Sequence, residues 1–158
     1  MSPSSSTSTL ARPCAAFARA ASWLQSPVLL FVRVYWGWQF FLTGKGKLSD
    51  LSRPEAFFAQ LHLPAPHLTA IVVSVTECVG GLLLAIGFGT RILALIFTVE
   101  MLVAFQTADA DSFRAIVSDP DKFTGATPFL FLYAAVILLA FGPGRLAVDA
   151  LLGRGRAS

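Results

Sequence analysis

Charge is what this sequence has least of. Asp, Glu, Lys and Arg make up 13% of its 158 residues, about half of what a soluble domain of this size carries. Too little polar surface is available to coat a globule in water, and lipid is the solvent that such a composition suits. The net charge of +3 is spread along the chain, with no basic stripe dense enough to track phosphates, so a nucleic-acid partner is not expected. Cysteine is almost absent. Cys14 and Cys78 stand far apart with no CxxC, which excludes a dithiol redox centre of the chain's own. The two histidines, His62 and His67, are five apart in one loop, so they neither share a helical face nor sit on facing spans as haem ligands would. The loop acids Asp109, Asp111, Asp119 and Asp121 lack the glycine and terminal glutamate of a calcium loop. No metal site is expected. After Arg12 and Arg19 no small-x-small cleavage site follows promptly, and no hydrophobic region precedes Cys14. An uncleaved N-terminus is expected.

What the chain does have is apolar length: 55% hydrophobic residues and a mean hydropathy of +0.68. Four segments, at about 27–44, 68–88, 91–108 and 126–142, reach the roughly 17–25 residues a spanning helix needs. The runs are too long for strands and lack barrel alternation. The expected fold is therefore all-α, an integral membrane four-helix transmembrane bundle with short amphipathic terminal segments. Residues 1–26 divide into a low-complexity head, "MSPSSSTST", and an interfacial helix anchored by Trp23; residues 27–152 form the bundle, and 153–158 a tail. Four spans place both termini on one side. Arg12, Arg19, Arg91, Arg145, Arg154 and Arg156 share that side, against Lys45, Lys47, Arg53, Arg114 and Lys122 on the other. The excess predicts cytoplasmic termini, with loops 45–67 and 109–125 outside.

Three ionisable residues interrupt the spans: Arg33, Glu77 and Glu100. A charge at the bilayer centre costs at least ~2.5–3.5 kcal/mol, so such groups face the bundle interior and seek partners. Counted from the cytoplasmic side, Arg33 lies about 9 Å deep, Glu100 about 14 Å and Glu77 about 17 Å, at the rise of an α-helix. An arginine bridging one or both acids is the expected arrangement. Its plain reading is a structural clamp. Two acids with one base leave a spare carboxyl, which desolvation and a like-charged neighbour keep protonated, and such a group can relay a proton.

Arg33, Gly37, Phe40 and Gly44 recur along one stripe of the first span, and Glu77, Gly80, Gly81 and Leu84 along the second. Glycines there admit another helix or a flat ligand. Tyr35, Trp36 and Trp38 beside Gln39 offer surfaces for a planar ring, although lipid-facing packing is their commoner use. Lys45, Lys47 and Arg91 read as interface anchors.

"RVYWGWQFFLTGKGKL", "ECVGGLLLAIGFGTR" and "FGPGRLAVDALL" together resemble the DoxX family of bacterial and archaeal membrane proteins, over about residues 28–152. The middle motif is the most specific, matching at Glu77, Gly80, Gly81, Gly87, Thr90 and Arg91. The first matches at Arg33, Gly44, Lys47 and Leu48, and the last at Gly142, Pro143, Gly144, Arg145 and Asp149. Thr43 stands where relatives often have histidine, Ala147 and Val148 replace a Ser-Leu pair, and Glu100 departs from the pattern of the third helix.

The resemblance implies a four-helix protein of the cytoplasmic (inner) membrane. Some relatives look like subunits of thiosulfate:quinone oxidoreductase, and others are linked to redox stress or quinone detoxification. On it rests the expected function: a small membrane subunit of a quinone-linked redox system. In that reading Arg33 orients an anion or quinone carbonyl, Glu77 pairs with it and Glu100 relays a proton. Trp36, Gln39, Gly37 and Gly81 line the quinone site, while Lys47, Arg91 and Asp149 are motif or interface residues. No flavin, haem or metal motif is present, so no intrinsic cofactor is expected beyond the quinone. The expected partners are the lipid bilayer, a soluble or membrane redox subunit, and further copies of the chain. A small-solute or proton carrier, or a ligand-free anchor for a soluble enzyme, are the alternatives.

Overall fold

A computed structural model of the chain describes residues 8–154, and their side chains from Trp23 to Gly153. Residues 1–7 of the low-complexity head and 155–158 of the tail fall outside it, as do the side chains of Arg12, Cys14 and Arg19. Every regular element among the described residues is a helix: α1 (Ser8–Ser49), α2 (Ser52–Gln60), α3 (Pro66–Ile86), α4 (Thr90–Thr107), α5 (Ala110–Arg114), α6 (Pro120–Thr124), α7 (Thr127–Phe141) and α8 (Val148–Arg154).

The expected second, third and fourth spans coincide with α3, α4 and α7 to within two residues. The first departs at both ends. No separate interfacial helix exists over 10–26, because α1 runs unbroken from Ser8. The intervening "AAFARAA" consists largely of strong helix formers. At its other end α1 continues beyond position 44 to Ser49, carrying Lys47 on its last turn.

α3 opens with Pro66 in its first turn, where a missing N–H costs nothing. It ends at Gly87, whose φ of 79° suits glycine and whose N–H donates to the Leu83 carbonyl oxygen at 3.0 Å. Two residues later α4 begins. This short turn makes α3 and α4 consecutive antiparallel helices, yet each packs chiefly on another partner: α3 lies along α1, and α4 along α7.

Glycine lets α1 and α3 approach closely. A Cβ on Gly37 would lie 2.7 Å from the Ala85 nitrogen and the Gly81 oxygen, and one on Gly44 would strike the Cys78 nitrogen. These contacts set the register: Gly37 opposite Gly81 and Ala85, Gly44 opposite Ser74 and Cys78. Between the two helix pairs lie Leu29, Phe40, Leu84, Ala94, Phe97, Ala135 and Leu138. The Phe40 and Phe97 rings stack at 3.9 Å at the centre of this layer.

The outward faces are apolar too. Val72, Val79, Leu82, Leu95, Val99 and Val103 are exposed on α3 and α4, a surface that soluble monomers rarely leave bare. Both helices are long and apolar enough to cross a bilayer; α7 is apolar but only 15 residues long.

Candidate functional site

Near their connecting turn α3 and α4 touch. A Cβ on Gly80 would sit 3.0 Å from the Phe97 ring and 3.3 Å from Leu93. Towards the loop end they enclose a cavity of about 850 Å³. Thr69, Val72, Val73 and Thr76 line it from α3, and Ile96, Val99, Val103 and Ala104 from α4. α2 lies over it, with Phe57 and Phe58 in its lining. Such walls, apolar with a few converging polar groups, are what small-molecule sites have in common.

Those polar groups include Lys47, Glu77 and Glu100, with Asp50, Arg53 and the hydroxyls of Thr43, Thr69, Thr76 and Thr107 also in the lining. Lys47 Nζ donates to Glu77 Oε1 at 2.7 Å. Glu77 is 3% exposed, and its Oε2 has no hydrogen-bond partner among the described residues. Glu100 of α4 lies close enough to Glu77 and Lys47 to feel both charges. Two carboxyls and one ammonium thus converge in a chamber whose α3 and α4 walls are mainly apolar.

The expected bridge from Arg33 to these acids is not formed. Arg33, 2% exposed, spends its guanidinium on backbone at the opposite end of the bundle. Nε donates to the Ala85 oxygen at 3.1 Å, Nη1 to Pro143 at 2.9 Å and Nη2 to Leu146 at 2.6 Å. The glycine register is the reason. It sets Arg33 beside Gly87, ten residues beyond Glu77, or about 15 Å along a helix. An arginine cannot span that distance. Lys47 falls opposite Glu77 instead, so it is an ion-pair partner rather than an interface anchor.

Asp149 completes the Arg33 end. Its carboxylate accepts from the Gly89 and Thr90 N–H groups at 2.8 and 2.9 Å, closing the first turn of α4, while its own N–H donates to the Gly87 oxygen at 2.9 Å. Burial alone would raise its pKa. The hydrogen bonds from Thr90 and Gly89 outweigh that, and with the Arg33 charge they hold the carboxyl below its usual range. Arg33 and Asp149 thereby bolt the C-terminal segment to the α3–α4 turn.

The residues expected to hold a planar ligand lie elsewhere. Trp36 packs edge-on against Phe131 of α7 with ring centres 4.9 Å apart, and Gln39 bonds to the Tyr35 hydroxyl at 3.3 Å. Gly37 and Gly81 are consumed by the α1–α3 contact, leaving no room there for a ring. None of the four lines the cavity. Arg91 is exposed beside Gly142. Lys47, expected as a motif or interface residue, lines the cavity, as do Thr43 and Gly46 of α1, which sequence reasoning did not assign to it. The signal was present, since Lys47 is the next step of the stripe Arg33, Gly37, Phe40, Gly44. Phe57 and Phe58 carried no comparable signal, because α2, nine residues in a stretch that reads as loop, is too short to show a helical period.

Between the Arg33 end and the Glu77 end, the Phe40–Phe97 stack with Leu84, Ala94 and Leu138 fills the interior. The charged groups therefore form two separate clusters, one structural and one facing a cavity.

No solved structure matches the chain. A Bacillus subtilis (strain 168) protein named "Putative oxidoreductase CatD" is 27% identical over 127 residues, covering 80% of this chain and 88% of that protein. The matched stretch of DoxX covers residues 28–110, just over half of the chain. It includes α2, α3, α4 and every residue of the Lys47–Glu77–Glu100 cluster; by that match the chain belongs to the DoxX family.

Proposed function

We propose that this chain is a multi-pass protein of the cytoplasmic membrane that binds a quinone-class molecule in the cavity between α3 and α4, as the membrane subunit of a redox system. The observation that carries the reading is the Lys47–Glu77–Glu100 cluster in a chamber whose α3 and α4 walls are mainly apolar. A cavity of about 850 Å³ with walls of valine, isoleucine and phenylalanine suits a ring with an apolar substituent better than a small sulfur anion. The oxidoreductase name of the Bacillus subtilis relative points the same way.

The roles differ from those the sequence suggested. Lys47 is the cation that would orient a quinone oxygen, in place of Arg33. Glu77 holds Lys47 in position. Glu100, beside Glu77, is the acid that would pass a proton to a reduced quinone oxygen. Electrons come from a partner redox protein, since the chain's own residues supply only binding and proton transfer. The filled layer around Phe40 and Phe97 favours a binding site closed at one end over a carrier's pathway.

Equilibrium binding of a decyl-tailed benzoquinone to the protein in lipid nanodiscs tests this. Saturable binding is expected. Lys47→Met and Glu100→Ala should each weaken it about tenfold, equivalent to 1.4 kcal/mol, whereas Trp36→Phe and Gln39→Ala should leave it unchanged. Absence of saturable binding, or the reverse pattern of variants, overturns the reading.

A further inference from the structure

We propose that the cavity is filled sideways, through a slot between α3 and α4 that faces the hydrocarbon of the membrane. Its occupant is then a membrane-dissolved amphiphile with one polar end and one flexible apolar tail. The proposal rests on the reading of the cavity as a ligand site, and deepens it by naming the route and the shape of molecule admitted.

The slot follows from how the helices pair. α3 is held against α1 and α4 against α7, with Gly80, Leu93 and Phe97 joining the pairs near the turn. Beyond Phe97 the Glu77 and Glu100 carboxyls approach each other, and past them the cavity lies between the two helices. Its rim is Val72 on one side and Ile96, Val99 and Val103 on the other, and these four are 42–54% exposed while lining the cavity. They also continue the bare apolar faces of the two helices most able to cross a bilayer. A hydrocarbon tail leaving through this slot would pass from protein to lipid without meeting water.

The other approach, from the loop side, is narrowed by α2 and has a polar rim, Asp50 and Arg53, where the slot has an apolar one. α2 lies across it, and the Glu55–His67 contact at 2.8 Å ties that helix to the start of α3. Phe57 and Phe58 face what they cover. A hydrophilic solute would have to shed its water to pass the slot, at several kcal/mol for a charged or multiply polar molecule. A hydrocarbon tail would have to cross the charged Asp50–Arg53 rim to pass the loop side. A tailed amphiphile enters tail-compatible walls and presents its head to Lys47, Glu77 and Glu100.

The test uses the full-length protein in phosphatidylcholine liposomes and a fatty acid carrying a diazirine at its tail end. Labelled residues are mapped by mass spectrometry. Interior wall residues Val73 and Ala104 should be labelled. Val99→Trp, which narrows the slot from its lipid side, should cut that interior yield about tenfold while leaving the outward Leu95 labelled as before. Glu55→Ala, which frees the cover by removing its tie to His67, should leave the interior yield unchanged. No interior label in the wild type, or interior label controlled by Glu55→Ala and indifferent to Val99→Trp, overturns the slot. Competition by the decyl-tailed benzoquinone separates the two proposals. Interior labelling that the quinone fails to displace keeps the slot and removes the quinone.

Discussion

Lys47 and Arg33 show how much a cation's neighbourhood decides its role. Both are basic groups on one stripe of α1, yet Arg33 satisfies three backbone oxygens and Lys47 a carboxylate. Removing one member of a buried pair costs about 3–5 kcal/mol, because the other charge is stranded. Lys47 is 32% exposed, so the lower end applies. Lys47→Met and Glu77→Gln should each lower stability in detergent by about 3 kcal/mol, and the double variant by clearly less than the sum. Arg33→Gln combined with Glu77→Gln should instead be additive, as expected for residues on separate clusters. Thermal melts of the five variants and the wild type decide the matter. Asp149 carries a pH signature. Its depressed pKa contributes stability that is full above the unfolded value and lost as pH falls through the folded one. Asp149→Asn should therefore cost about 1 kcal/mol at neutral pH, the usual value of a helix cap, and flatten the acid limb of a melting-temperature profile.

At the scale of elements, the α1–α3 contact does most of the positioning. It fixes which α1 side chains meet α3, and hence which cation reaches Glu77. Gly81→Ala would drive a Cβ to 2.5 Å from the Phe41 nitrogen, and backbone cannot yield there as a side-chain tip can. A loss of about 1–3 kcal/mol is expected from overpacking, with the Lys47–Glu77 pair disturbed in consequence. Gly46→Ala is the contrasting case. Nothing lies within 4 Å of its Cβ, so the gain in helix propensity should stabilise α1 by about 0.5–1 kcal/mol. Denaturation of the two variants side by side checks both signs. The same element explains the misplaced ligand residues. Gly37 and Gly81 were legible as a close-approach stripe, but whether a helix or a ring fills the gap is set by the neighbouring chain.

For the whole molecule, the apolar outer faces of α3 and α4 argue for lipid as solvent, and orientation is the next question. The arginine bias predicts cytoplasmic termini and an external α2. On a background without Cys14 and Cys78, Ser118→Cys should react with an impermeant thiol reagent in intact cells and Ser5→Cys should not. The converse result would turn the protein over, bringing the covered end of the cavity to the cytoplasm. The slot between α3 and α4 would still face the bilayer, since a rotation about an axis in the membrane plane leaves lateral openings lateral.

The bounds of α3, α4 and α7 were determined by the sequence, because apolar runs bounded by Gly and Pro report on a helix and its ends without help from neighbours. So was the presence of an acid pair at depth, since Glu77 and Glu100 stand out in any apolar run. Those of α2, α5 and α6, short helices in stretches that read as loops, were not. Nor was the pairing of charges. Depth along separate helices is a one-dimensional measure, blind to the glycine register that places Arg33 beside Gly87 and Lys47 beside Glu77. Extending the stripe by one more step would have brought Lys47 into view, but only the packed register showed that it meets an acid. The cavity belongs wholly to tertiary structure. It exists because consecutive helices pair with other partners and leave a gap, and no local pattern in either helix records where its neighbour stops touching it.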